Sequence, residues 1–354
     1  MNIIFRVDSS LIIGLGHLMR CLTLAQALKE KGSDVKFICR KHEGSLIEKV
    51  RSSGFIAYEL EAFKETQVDT KLVHSNWLGV TQQKDADDCI EILKLDKVDW
   101  LIVDHYALDE LWQKKLKPYY EKLMVIDDLA DRKHQCDILL DQTFGCQQED
   151  YLELIPKRCK LLLGSQYALL RPEFNKWRSY SLKRRSKPEF KQLLINMGGV
   201  DKDNITEKVL DKLKRCNLPK ELKIIIVMGK FAPHLNNVKL TADTLPFKTK
   251  VKVDVGNLAE IMANSDIAIG AAGATSWERC CLGLSTIQIV IAKNQRTISK
   301  NLLKINAIKL LKNVKELPSV INNYNIWIDG VSKSNRLVTD GLGLKKVTST
   351  IFKK

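Results

Sequence analysis

The segment Ser9-Ser10-Leu11-Ile12-Ile13-Gly14-Leu15-Gly16-His17 sets an imidazole directly behind two glycines and ahead of an amphipathic run. Gly14 and Gly16 let backbone N–H groups approach an anion closely, and the first turn of a helix favours negative charge. His17 sits at the mouth of that helix, where an imidazole can take a proton from water or from a hydroxyl. A lone Gly-x-Gly is weak as a signal, since most such pairs are only turns. No third glycine follows at the dinucleotide spacing, which disfavours NAD binding. On position alone, His17 stands equally for a catalytic base and for a structural histidine.

A second loop of this kind is Gly270-Ala271-Ala272-Gly273-Ala274-Thr275-Ser276-Trp277-Glu278. Small residues between a strand and a helix leave room for a diphosphate against free N–H groups. Glu278, one turn in, can accept hydrogen bonds from ribose hydroxyls. The plainer reading of Thr275-x-x-Glu278 is a capping box, in which Glu278 only caps its own helix; taken without context, this is the favoured one. Asn196-Met197-Gly198-Gly199 again puts glycines where a phosphate or base can approach, and a plain turn explains them as well. Tyr106, in Val103-Asp104-His105-Tyr106, can orient a sugar hydroxyl or an attacking water, with Asp104 holding a partner; packing at a strand end is the alternative. Asp127 and Asp128 are adjacent on a strand, so they point to opposite faces and do not jointly hold a metal. His42, His74, His134 and His234 have no ligand spacing.

These loops need strands and helices to hold them. Ile3–Val7, Val35–Cys39, Phe55–Leu60, Trp100–Asp104, Leu123–Asp127, Ile138–Leu140 and Leu161–Leu163 read as strands. His17–Lys31, with Leu18, Leu22, Ala25 and Leu28 at helical spacing, reads as the first helix. Strands Leu193–Met197, Ile224–Met228, Ile267–Ile269 and Ile287–Ile291 alternate with helices near 204–216, 257–264, 275–283 and 296–306. The pattern is α/β: two Rossmann-like domains with parallel sheets facing a central cleft, ligands lying beyond the carboxyl ends of the strands. Domain boundaries are expected at 1–171 and 191–335. An exposed connector, 172–190, rich in Pro, Lys and Arg, lies between them, and a helix follows at 336–354.

The chain has 354 residues, more than one core of roughly 250–300 residues accommodates. The net charge of +15 concentrates anions such as nucleotide sugars or nucleic acid. It is spread along the chain without aromatic interleaving, so no nucleic-acid partner is expected. Nine scattered cysteines, with no Cys-x-x-Cys, point away from a disulfide framework or a zinc site. The opening Met1–Val7 does not read as a signal peptide and no apolar run is long enough to span a membrane, so a cytoplasmic protein without stable membrane insertion is expected.

Taken together, Arg6-Val7-Asp8-Ser9, Ile13-Gly14-Leu15-Gly16-His17-Leu18-Met19-Arg20, Val103-Asp104-His105-Tyr106, Leu139-Leu140-Asp141-Gln142, the run from Leu163 to Phe174, Asn196-Met197-Gly198-Gly199, Gly273 to Gly283 and Asn294-Gln295 resemble, in order and across nearly the whole chain, the UDP-2,4-diacetamido-2,4,6-trideoxy-β-L-altropyranose hydrolases of the pseudaminic acid pathway. The resemblance implies a GT-B-type fold and a UDP-sugar as the small-molecule partner. It implies His17 as general base on water, Tyr106 and Asn294 on the sugar or its diphosphate, Glu278 on the uridine ribose, and Arg171 helping to hold the substrate. Gly14, Gly16, Arg20, Asn196, Gly198, Gly199, Gly273, Thr275 and Ser276 complete the expected binding set. Hydrolysis with anomeric inversion, no cofactor, no metal, a monomer and a role in flagellin glycosylation follow as expectations. The polar stretch 62–80 departs from the family pattern by its length. A GT-B-type glycosyltransferase with a UDP-sugar donor and a non-catalytic nucleotide-sugar binding protein remain the rival readings.

Overall fold

A computed structural model of the chain describes residues 1–62, 72–292 and 295–353. These divide into two units, residues 1–169 with 344–354, and residues 170–343.

The first unit is a seven-stranded parallel sheet: β1 (Asn2–Val7), β2 (Asp34–Arg40), β3 (Ile56–Leu60), β4 (Trp100–Asp104), β5 (Lys122–Ile126), β6 (Ile138–Asp141) and β7 (Lys160–Leu163). Helices α1 (Gly16–Glu30), α2 (Ile47–Ser52), α3 (Gln82–Leu93) and α4 (Glu110–Leu116) connect its earlier strands. The order β3-β2-β1-β4-β5-β6-β7 reverses direction between β1 and β4. At such a reversal the loops leaving the two strands diverge and open a crevice beyond their carboxyl ends. Those loops carry His17 and Tyr106. Apolar side chains cover both sheet faces, as a parallel sheet requires; one cluster forms around Leu18, Leu22 and Leu28, the other around Leu93, Trp112 and Leu139.

The second unit opens with α5 (Pro172–Arg184), where an exposed connector was expected. Proline at its first position is preset for a helix start, and Phe174 and Ser181 are buried. Of the basic residues that suggest a linker, Lys176 and Lys183 are exposed, whereas Arg178 donates to the carbonyls of Cys281 and Arg336, Arg184 pairs with Asp266 at 2.6 Å, and Arg185 donates to the carbonyls of Met262, Ala263 and Ser265 at the end of a later helix. A six-stranded parallel sheet follows: β8 (Gln192–Asn196), β9 (Lys223–Met228), β10 (Lys248–Val253), β11 (Ile267–Ala271), β12 (Ser285–Ile289) and β13 (Lys309–Leu311). Its helices are α6 (Ile205–Leu213), α7 (Leu235–Asp243), α8 (Leu258–Asn264), α9 (Ala274–Cys281), α10 (Arg296–Lys304), α11 (Leu317–Ile321) and α12 (Tyr324–Asn335). The order β10-β9-β8-β11-β12-β13 reverses between β8 and β11, the strands that lead to Gly198 and Gly273.

The last helix, α13 (Gly343–Phe352), returns to the first unit. Leu344, Val347 and Ile351 join the cluster formed by β1 and α1. Among the described residues no helix is long and apolar enough to cross a membrane. All nine cysteines are free thiols.

Candidate active site

In the first unit the helix α1 begins at Gly16 with no capping side chain and no acidic residue in its first turn. The amides of Ile12, Ile13 and Gly14 before it are already engaged: Gly14, at φ +82°, donates to the Ser10 carbonyl at 2.9 Å, and Ser10 Oγ accepts the N–H groups of Ile12 and Ile13. The donors this loop can offer an anion therefore lie at Leu15 and in the first turn of α1. His17 projects from that turn toward the end of β4. Its Nδ1 lies 2.6 Å from Asp104 Oδ1. Burial by itself raises the Asp104 pKa, but the Arg20 guanidinium and His17 outweigh it and hold the carboxyl well below its usual range. Asp104 is thus an anion, so Nδ1 carries the proton and Nε2 the lone pair. Among the described residues Nε2 has no hydrogen-bond partner, and the side chain keeps 10% of its surface exposed. The ring is nearly buried with one basic nitrogen left open.

Arg20 does not extend toward a ligand. It donates from Nε and Nη2 to both oxygens of Asp104, at 2.6 and 2.8 Å, and from Nη1 to Asp128. Tyr106 Oη donates to the same Asp128 oxygen at 2.9 Å, and its ring packs edge-on against His17, centroids 4.6 Å apart. Asp127 turns the other way, to Arg132 at 2.8 Å, as expected for neighbours at a strand end. Below this layer, Arg6, Asp8, Arg40 and Asp85 form a buried ionic network, with Arg6–Asp85 at 2.6 Å and Arg40–Asp85 at 2.8 Å. Asp8 also accepts the Arg40 amide at 2.7 Å, and His105 Nε2 lies 3.1 Å from it. This network fixes where β1 ends and the His17 loop begins. The stretch 62–80 lies partly outside the described residues; its remainder, including a 3₁₀ turn at Ser75–Trp77, brings Trp77 and His74 against Tyr106. Sequence reasoning gives Asp128 and His74 no role at this site and does not single out Trp77, because only the fold brings them to α1.

In the second unit, β8 and β11 pair so that Asn196 lies opposite Gly270. A Cβ on Gly270 would stand 2.8 Å from the Asn196 carbonyl and 2.5 Å from Arg279 Nη1, so only glycine fits. Gly198 and Gly273, at φ +91° and +120°, face open space. Asn196 donates from Nδ2 to the Val227 carbonyl, and its buried Oδ1 has no partner. Gly199 packs so closely on Gly229 that a Cβ there would meet its carbonyl. The capping box does not form: Gly273 is the N-cap of α9, no side chain caps it, and Thr275 Oγ1 accepts from Arg279 Nη1 at 3.3 Å. Thr275 lies inside the first turn, two positions too late to cap. Ser276 is buried beside it. Arg279 lies beneath this turn, donates to the Ala271 carbonyl at 2.7 Å and has no ion-pair partner among the described residues. Burial lowers its pKa to about 10, which leaves it charged at neutral pH.

Freed from capping, Glu278 has one oxygen, Oε2, buried without a partner, while Oε1 lies 3.9 Å from Arg171 Nη2. Burial, opposed by Arg171 and Arg279, raises its pKa to about 7. Such a carboxyl gains from any hydroxyl donor that reaches it. Arg171, at the start of α5, also pairs with Glu173 at 2.9 Å. Asn294 lies outside the described residues. Among those described, no group of three or more His, Cys, Asp or Glu residues could hold a metal ion.

No protein-family model matches the chain. It is 29% identical over 305 residues to the UDP-2,4-diacetamido-2,4,6-trideoxy-beta-L-altropyranose hydrolase of Campylobacter jejuni, a match covering 86% of this chain and 97% of that enzyme. Its fold is similar to that of MurG from Acinetobacter baumannii, with a TM-score of 0.70 and 15% identity over 100% of this chain and 99% of that one. It is also similar to the UDP-GlcNAc 2-epimerase of Neisseria meningitidis, solved with UDP-GlcNAc bound, with a TM-score of 0.62 and 12% identity over 100% of both chains. The motif resemblance therefore extends over most of the chain, which is similar to a UDP-sugar hydrolase in sequence and GT-B-type in fold.

Proposed function

We propose that the protein hydrolyses a UDP-linked 2,4-diacetamido-2,4,6-trideoxyhexose, breaking the sugar C1–O bond to give UDP and the free sugar with inversion at C1. The observation that carries this reading is the His17–Asp104 pair with Nε2 left open. Nε2 takes a proton from water as the water oxygen attacks C1, and UDP leaves with the electron pair of the broken bond. Asp104 stabilises the imidazolium that forms, and Arg20 and Tyr106 hold the pair in place. UDP spreads its charge over two phosphates. The open turns at Gly198 and Gly273, with Arg279 beneath the second, favour that charge. Glu278 accepts from the ribose hydroxyls, with Arg171 beside it. The similarity to the Campylobacter hydrolase supports the substrate class, and the epimerase shows that a related fold takes a UDP-sugar. In this reading the enzyme works as a cytoplasmic monomer of the pseudaminic acid route, without metal or cofactor.

The test supplies the UDP-linked diacetamido sugar with water as the only acceptor and follows products by proton NMR. UDP and the free sugar appear in equal amounts, the inverted anomer first. His17→Ala keeps UDP binding and loses about 10²- to 10⁴-fold in turnover. The fold likeness to MurG favours one second reading, transfer of the sugar to an alcohol deprotonated by His17. Release of UDP only when an alcohol acceptor is added would select it.

A further inference from the structure

The rings around His17 exceed what a general base requires. Trp77 stacks on Tyr106, centroids 5.4 Å apart and planes 26° apart, and meets His17 edge-on at 5.8 Å. His74 lies 4.4 Å from the same indole. Tyr106 is buried, at 4% exposure, but Trp77 is only partly buried and joins none of the apolar core clusters. Its chain neighbours Leu78 and Val80 are sunk in the core at 1% and 0% exposure. Those two residues anchor the Ser75–Trp77 turn, so the indole is held beside the base without being buried itself. Among the described residues its Nε1–H has no hydrogen-bond partner. Burial, opposed by the charge of Asp131, lowers the His74 pKa, which keeps an uncharged ring beside the indole at neutral pH.

A half-open indole beside a base offers two things to a ligand: an apolar face and one unused donor. A pyranose carries a face of C–H groups that stacks on aromatic rings, and an N-acyl substituent adds a carbonyl that accepts a hydrogen bond. We propose that Trp77 is the sugar-recognising residue of the first unit, stacking on the pyranose C–H face and donating Nε1–H to an N-acyl carbonyl. N-acylated sugars are thereby selected over sugars with hydroxyls alone. The proposal rests on the UDP-sugar reading above.

Calorimetry in the His17→Ala background, where turnover is suppressed, tests it. UDP, UDP-glucose and the UDP-linked diacetamido sugar are titrated into that parent, into Trp77→Ala and into Trp77→Phe. In the parent the diacetamido compound binds more tightly than UDP. Trp77→Ala erases that gain, roughly tenfold or more, and leaves UDP affinity unchanged. Trp77→Phe keeps the stacking share and narrows the preference for the acylated sugar over UDP-glucose. Equal gain in the parent and in Trp77→Ala overturns the proposal. So does a parent that binds UDP and the sugar nucleotide equally, or a Trp77→Ala variant that weakens UDP itself. Wild-type turnover in water is read separately, so loss of the hydrolase reading and loss of this one are distinguishable.

Discussion

Replacing Asp104 by asparagine changes one charge and no shape, and its consequences divide between stability and rate. Asp104 accepts from His17 Nδ1 at 2.6 Å and from Arg20 Nε and Nη2 at 2.6 and 2.8 Å. Arg20 keeps Asp128 as an anionic partner, so the loss falls short of a fully orphaned buried charge: about 1–3 kcal/mol of stability. For His17 the effect is larger. An amide N–H donating to Nδ1 drives the imidazole proton onto Nε2, where it blocks the only open basic nitrogen. The turnover number then falls by about 10²- to 10⁴-fold, or roughly 3–5.5 kcal/mol in barrier. UDP affinity, which the proposed function assigns to the other unit, stays as in the wild type. Thermal unfolding by circular dichroism, UDP release under saturating substrate and UDP calorimetry measure the three quantities. A folded Asp104→Asn protein that turns over within about threefold of wild type would refute the role given to the pair.

Further outcomes follow from other parts of the structure. Burial and the charge of Asp128 raise the Asp141 pKa to about 7, against about 4 in an unfolded chain. Between these values the native state holds a proton the unfolded state has shed. Asp141 therefore makes stability fall as pH rises from about 4 to 7, by a few kcal/mol, and Asp141→Asn flattens that slope in urea titrations across pH. Asp8 and Asp104, whose pKa values are depressed, act oppositely: their stabilisation is present above about pH 4 and lost as acid protonates them. Gly270→Ala pushes on the Asn196 carbonyl and on Arg279, and calorimetry should show at least tenfold weaker UDP binding, beyond any loss of stability. Deleting residues 343–354 removes Leu344, Val347 and Ile351 from the first unit's core, roughly 5–9 kcal/mol by burial, and should lower the melting temperature of that unit or unfold it.

The sequence reading locates most strands because those of a covered parallel sheet are continuous apolar runs, as in Trp100–Asp104 and Leu193–Asn196. It misses β10, where Lys248, Lys250 and Lys252 alternate along an edge strand, and β13, which is only three residues long. It misreads α5 because that helix is polar on most of its surface and begins with a proline. At the site, His17 is legible from its place after a glycine pair at the first strand. Asp104 is read as holding a partner, but which one is not legible: it lies 87 residues from His17, Asp128 lies 108 residues from Arg20, and only the β1–β4 reversal brings them together. The Thr275-x-x-Glu278 spelling misleads for a geometric reason. The helix starts at Ala274, which leaves Thr275 inside it and Glu278 available for other partners.

The return of α13 to the first sheet reverses an order usually taken for granted in synthesis. A chain made from its N-terminus normally completes its early domain first. Here β1 and α1 precede residues 170–343 in the chain, yet Leu344, Val347 and Ile351, which cover them, are made only after those residues. Residues 170–343 can close their own core before that. The unit bearing the imidazole thus matures after residues 170–343 have been made, and a translation arrest before Leu344 leaves it with an uncovered apolar groove.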